Sequence, residues 1–129
     1  MADNDLGRFV WYDLMSPDTD ASKAFYTKVL GWGTALFEIE GRPPYTMWTL
    51  GGDDNGIGGA MPPPMPGMPS FWGVYFSVDD TDAIVEKAKG LGAQVMSPPM
   101  DIPDVGRFAV LVDPQGAAFN VIKNAQPGS

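Results

Sequence analysis

Asp13 is the acidic side chain inside the apolar run Phe9-Val10-Trp11-Tyr12-Asp13-Leu14-Met15. A carboxylate in such a strand is costly unless it is paired or hydrated. It could hold a cationic or hydroxylated ligand, or pass a proton as general acid or base. It could equally pair with Arg107 or Arg8, or sit at a strand end open to water. Asn120, in the apolar run 117–123, offers an amide that donates and accepts one hydrogen bond each to a ligand carbonyl or hydroxyl. It could also be satisfied by strand neighbours. Trp11 and Trp48 could stack on a planar or cationic ligand, worth about 0.5–2 kcal/mol beyond area burial, or fill an ordinary core. Tyr75 and Ser77 extend the polar row. Arg107 reads as an anion contact or a surface charge. The chain has no histidine and no cysteine. Any metal would fall to carboxylates, amides and carbonyls, a set suited to magnesium, calcium or manganese. The acidic group Asp79, Asp80 and Asp82 reads as a helix N-cap, and Asp53-Asp54 as a turn. Gly56 to Gly59 precede no helix and so make a poor phosphate loop.

The elements that position these groups come from patterning. At 129 residues with 44% hydrophobic content, the chain fits a single domain, residues 1–129. Residues 9–15 alternate with period two, as a strand covered on both sides does. Asp18 or Thr19 caps a helix that stops at Gly31. Three strands follow, over 34–40, 45–50 and 57–61. Residues 62–69 hold five prolines in eight positions and read as a linker. The order then repeats: a strand over 71–78, a helix capped by Asp79 to Asp82 and ending at Gly90 or Gly92, and strands over 94–96 with an extension, 107–112 and 117–123. Asp113-Pro114-Gln115-Gly116 is a turn. Two βαβββ modules, 8–61 and 70–124, thus flank the linker.

Composition excludes some partners. Sixteen acidic residues against eight basic ones give a net charge of −8, which repels nucleic acid. No apolar run reaches the ~20 residues that span a bilayer. The acidic start, Met1-Ala2-Asp3-Asn4-Asp5, is the opposite of a signal peptide, so a cytoplasmic location is expected.

The repeat, the run Phe25-Tyr26-Thr27-Lys28-Val29-Leu30-Gly31-Trp32, the triplet Val78-Asp79-Asp80 and the turn Asp113-Pro114-Gln115-Gly116 resemble the vicinal oxygen chelate superfamily, which includes glyoxalase I, extradiol dioxygenases and bleomycin resistance proteins. The resemblance covers residues 8 to 124. It implies an α+β fold in which the tandem modules form a curved mixed sheet around a cavity, with the helices outside. Metal-dependent members carry ligands at four places. On this chain those places are Trp11, approximately Trp48, Gly73 and Asn120. The usual histidine or glutamate is absent from each, so no metal and no cofactor are expected. The bleomycin-resistance branch, which lacks metal ligands, is the better analogue.

With that fold, strand alternation sends Phe9, Trp11, Asp13, Thr46, Trp48, Phe71, Gly73, Tyr75, Ser77, Ala118 and Asn120 into the cavity. Val10, Tyr12, Leu14, Val74, Phe76, Val78, Phe119 and Val121 go beneath the helices. The expected function is metal-independent binding of a small aromatic or planar molecule by Trp11, Asp13, Trp48, Gly73, Tyr75 and Asn120, in a homodimer. The alternative is a glyoxalase-like lyase or isomerase with Asp13 as acid or base and no metal. A metal-dependent version is the weaker alternative.

Overall fold

The computed structural model describes residues 6–38, 41, 44–50, 56–63, 66–102 and 105–125. Met1 to Asp5, the Asp53-Asp54 turn, Arg42-Pro43 and Pro64-Met65 lie outside the described residues. The element order is β1 (Phe9–Met15), α1 (Thr19–Leu30), β2 (Gly33–Phe37), β3 (Tyr45–Thr49), β4 (Gly56–Met61), β5 (Phe71–Ser77), α2 (Thr81–Gly90), β6 (Gln94–Ile102), β7 (Gly106–Val112) and β8 (Ala118–Asn124). This is βαβββ twice, an α+β fold with mixed strand pairing. Two compact units emerge: Trp11–Trp72, and Met1–Val10 with Gly73–Ser129.

In the unit Trp11–Trp72 the strands lie in the order β2-β3-β4-β1. The β1–β4 pair is parallel and the other two are antiparallel. Helix α1 begins because the Asp18 carboxylate accepts from the Ala21 N–H, and ends where Gly31 turns left-handed at φ 71°, the freedom glycine supplies. Beneath it Leu14, Trp48 and Ala60 form the core, with Tyr26, Trp32 and Ile57 packed against them. Trp48 is wholly buried, and its indole N–H donates to the Gly59 carbonyl at 2.9 Å. Its ring lies 5.3 Å from Trp32 and 5.7 Å from Tyr26, centroid to centroid.

The other unit orders its strands β5-β8-β7-β6, with β5–β8 parallel and the rest antiparallel. Asp80 caps α2 by accepting from the Ala83 N–H. The Thr81 hydroxyl donates to the Arg107 carbonyl at 2.6 Å, which pins the helix start to β7. Val85 packs on Ala109, Leu111 and Val121, with Val78, Ile84, Ala88, Val95 and Phe119 around them. Strand β6 runs through Pro98 and Pro99 with two register shifts, which prolines allow at the end of a strand order. Asp113 builds the β7–β8 turn: its carboxylate accepts from the Gln115 and Ala117 N–H groups, both at 2.9 Å. Phe9, expected to face the cavity, instead meets Phe76 edge-on at 4.7 Å. Phe76 in turn lies 6.0 Å from Phe119 of the helix-side core.

Candidate functional site

Each unit has a sheet face turned away from its helix, and the polar side chains of interest lie on these faces. In the unit Trp11–Trp72, Asp13, Gly59 and Met47 are register partners across β1, β4 and β3, so they share one face. Asp13 is almost fully buried. The Tyr45 hydroxyl donates to its Oδ1 and accepts from the Trp11 indole N–H at 2.9 Å. The result is a directed chain, Trp11 to Tyr45 to Asp13, that fixes the carboxylate. Burial and the adjacent Asp13 charge push the Tyr45 phenol far above its ordinary range, so it stays a protonated donor.

Glycine makes this arrangement fit. A Cβ built on Gly59 would fall inside the Tyr45 hydroxyl and ring, and 2.7 Å from Asp13 Oδ1. Strand β4 is therefore bare at Gly59, where the Tyr45 phenol lies across it. Tyr45 carries no motif in the sequence. The available signal was indirect: a buried Asp13 needs a donor, and a glycine-rich strand invites a close neighbour.

In the second unit, Tyr75, Asn120 and Val110 are register partners across β5, β8 and β7. They occupy the face opposite Val121 and the helix. Gly73 and Ser77, two residues either side of Tyr75, are buried on the same face. The Tyr75 ring lies 6.3 Å from Phe108. Asn120 has no exposed surface, and among the described residues neither its Nδ2 nor its Oδ1 has a hydrogen-bond partner. Satisfaction by strand neighbours, the ordinary fate of a buried amide, does not occur here.

Trp48 is the placement that differs most from expectation. It lies on the helix side with Leu14 and Ala60, and its N–H is spent on Gly59. Thr46, in register with Ala60, goes with it. The reason is register. Alternation orders residues within a strand, but pairing sets the phase between strands, and a one-residue offset exchanges the faces. Met47 takes the place beside Asp13.

The four places at which the superfamily binds metal can be judged by their donors. Trp11 and Trp48 present N–H groups that already donate to protein oxygens. Gly73 has no side chain. Asn120 alone offers an oxygen. Among the described residues no three histidine, cysteine, aspartate or glutamate side chains converge. This donor set does not fit a metal ion.

Arg107 is held by Asp82, with Nε at 2.7 Å from Oδ2, and by Asp101 at 3.1 Å. The hydrogen bond from Arg107 keeps the Asp82 carboxyl below its ordinary range. An edge groove of about 340 Å³ runs along Asp101, Gly106, Arg107 and Lys123; of the candidate residues Arg107 alone lines it, already paired with Asp82 and Asp101. No helix among the described residues is long and apolar enough to cross a membrane.

Comparison with known proteins agrees with this architecture. The model of the Glyoxalase/Bleomycin resistance protein/Dioxygenase superfamily matches residues 8–121. The chain is 48% identical over 122 residues to "Putative glyoxylase CFP32" of Mycobacterium tuberculosis, across 95% of this chain and 46% of that protein. It is 37% identical over 127 residues to the "Anthracycline biosynthesis protein DnrV" of Streptomyces peucetius, across 89% of this chain and 46% of that one. The chain thus spans about half the length of these curated relatives. Among solved structures, Streptomyces coelicolor methylmalonyl-CoA epimerase superposes with a TM-score of 0.60 at 18% identity, covering 94% of this chain and 99% of that one. With the repeated βαβββ order in place, the chain belongs to the glyoxalase/bleomycin resistance protein/dioxygenase superfamily.

Proposed function

We propose that the chain binds a small planar or aromatic molecule without a metal, on the sheet faces its helices leave uncovered. Asn120 carries this reading. A buried amide with both polar atoms unpaired costs on the order of 1–3 kcal/mol, a cost offset when a ligand carbonyl or hydroxyl meets it. The surroundings of Tyr75, Phe108 and Val110 are apolar, and apolar walls with one or two orienting polar groups characterise small-molecule sites. Trp11 and the Tyr45–Asp13 pair offer a second group of aromatic and polar contacts. The name of the Streptomyces peucetius relative supports a fused-ring ligand, since anthracyclines are planar polycyclic carbonyl compounds. The lack of cysteine is compatible with a cytoplasmic setting.

A neutral anthracycline aglycone tests the proposal without interference from the chain's acidity. At a hundredfold excess over Kd a ligand adds about 2.7 kcal/mol to stability, a rise of roughly 10 °C in a domain of this size. Asn120→Leu abolishes the rise, Trp11→Ala reduces it and Trp48→Phe leaves it. No shift across a panel of planar aromatics refutes the reading.

The orientation of Asp13 by Tyr45 favours a second reading, a metal-free lyase or isomerase in which Asp13 moves the proton. The name of the mycobacterial relative supports it. Asp13→Asn separates the two: an enzyme loses turnover while ligand affinity persists, whereas a binder shows no turnover in either form.

A further inference from the structure

Asn120 stands on a strand that pairs on both sides. Tyr75 of β5 and Val110 of β7 are its register neighbours, and two residues along β8 Ile122 lies opposite Phe108. Tyr75, Phe108, Val110 and Ile122 are all buried. The backbone groups of a doubly paired strand are spent in its ladders. The Asn120 amide is the buried side-chain group left without a partner among the described residues. Strands β5 and β7 stand about 10 Å apart across β8, two strand spacings. The Tyr75 and Phe108 ring centroids are nevertheless 6.3 Å apart, so the rings lean in over β8 from its two sides. This leaves the amide with no exposed surface.

We infer, building on the binding reading above, that the ligand of this face is a neutral molecule with a hydrogen-bond donor and an acceptor side by side on one flat edge. Lactams, cis-amides and carbonyls flanked by a hydroxyl form this class. Both polar atoms of Asn120 lack partners, not one. A planar amide that donates through Nδ2 and accepts through Oδ1 matches an edge carrying the reverse pair, and the two groups close a ring of parallel hydrogen bonds. An ester, a lactone or an unsubstituted quinone offers acceptors alone. Such an edge meets Nδ2 and leaves Oδ1 buried and unpaired, a cost in an apolar site. A carboxylate fails in the same way. It also brings a charge that apolar walls do not solvate and that a chain of net charge −8 repels. Flatness matters because the ligand must part Tyr75 and Phe108, and a planar ring replaces their mutual contact with its own.

Three bicyclic probes of nearly one shape test this. Carbostyril carries a lactam N–H beside its carbonyl; N-methylcarbostyril and coumarin keep the carbonyl and lack the donor. Nuclear magnetic resonance titration of the nitrogen-15-labelled chain gives Kd for each and reads the amide directly. Carbostyril binds at least ~10-fold tighter than either of the others, the worth of one net hydrogen bond. The Asn120 side-chain signals, assigned by their loss in Asn120→Leu, move with carbostyril, and in that variant the three probes bind alike. Carbostyril that does not bind, or binds no tighter than coumarin, overturns the inference, as do Asn120 signals that carbostyril leaves unmoved. The probe series decides on the native chain alone, should Asn120→Leu misfold. The binding reading fails separately. An aglycone that raises the melting temperature beside probes that show no preference keeps that reading and removes this inference. No shift across the planar aromatic panel removes both.

Discussion

Replacing Gly59 with alanine adds one methyl group, and the structure assigns it a large effect. The added Cβ would overlap the Tyr45 hydroxyl and ring and approach Asp13 Oδ1 to 2.7 Å. Both neighbours sit in paired strands, so the Tyr45 side chain must leave. Its departure breaks the hydrogen bond to Asp13 and takes the acceptor from the Trp11 indole. A hydrogen bond to a charged group is worth about 1.5–3 kcal/mol. Overpacking adds about 1–3 kcal/mol. Lower unfolded-state entropy returns about 0.4–1 kcal/mol, since Gly59 is not among the positive-φ glycines. The net loss is roughly 2–5 kcal/mol, or about 7–18 °C in melting temperature for a domain of this size. Gly90→Ala is the control: its Cβ would meet nothing within 4 Å, and at the last residue of α2 it stabilises the chain by about 0.4–1 kcal/mol through the lower entropy of the unfolded chain. The decisive measurement is a double-mutant cycle in urea. Once Tyr45→Ala has cleared the space, Gly59→Ala costs less than about 1 kcal/mol. An equal cost in both backgrounds, or a Gly59→Ala protein as stable as the native one, refutes the account of β4 as a cradle for Tyr45.

Asn120→Leu leaves stability unchanged or raises it by about 1–2 kcal/mol, because an amide without partners gives way to an apolar side chain of similar size; thermal unfolding without ligand reads this directly. Trp48→Phe costs about 2–4 kcal/mol through the lost hydrogen bond to Gly59 and a partial cavity, measured by urea unfolding, while ligand affinity in a fluorescence titration is unchanged. Tyr45 has a folded-state pKa above its unfolded one. Its protonated form therefore adds stability that is fully present below about pH 10 and is lost as the pH rises beyond that value. Alkaline titration at 295 nm shows its phenolate appearing together with unfolding, and Tyr45→Phe removes one tyrosine from that late component. Asp82, with its depressed pKa, contributes in the opposite sense: its pairing with Arg107 is present above the unfolded carboxylate pKa and lost as the pH falls through the folded one. Asp82→Asn accordingly flattens the acid limb of the unfolding curve.

Much of this fold is legible from local chemistry. Asp18 and Asp80 stand before runs with helical spacing and accept the N–H bonds expected of caps. Gly31 adopts the left-handed conformation expected of a helix stop, and Asp113-Pro114-Gln115-Gly116 closes a turn through the Asp113 side chain. These signals act within a few residues, so no tertiary term overrides them. Alternation was equally sound within single strands. It put Tyr75, Ser77 and Asn120 on one face of their unit and Phe119 and Val121 on the other, as the register shows. It failed for β3, whose phase is set by its pairing with β4, Thr46 opposite Ala60 and Trp48 opposite Gly58. No residue within β3 announces that pairing.

The same distinction explains why Asp13 was visible and Tyr45 was not. Asp13 is anomalous in its own strand, and an anomaly of burial needs no partner to be noticed. Tyr45 is an ordinary first residue of an ordinary strand, 32 positions away, and only pairing through β4 brings it across. Once there, it alters the chemistry open to Asp13. A carboxylate that accepts a phenol hydrogen bond has one oxygen engaged and is held in one orientation. Tyr45→Phe thus separates the two readings of the chain. If Asp13 orients a ligand, losing the phenol loosens that orientation and weakens affinity. If Asp13 abstracts a proton, the phenol holds the carboxylate in line for that step, and Tyr45→Phe lowers turnover while binding holds. Weakened binding with no turnover establishes the binder, and lowered turnover with intact affinity establishes the enzyme.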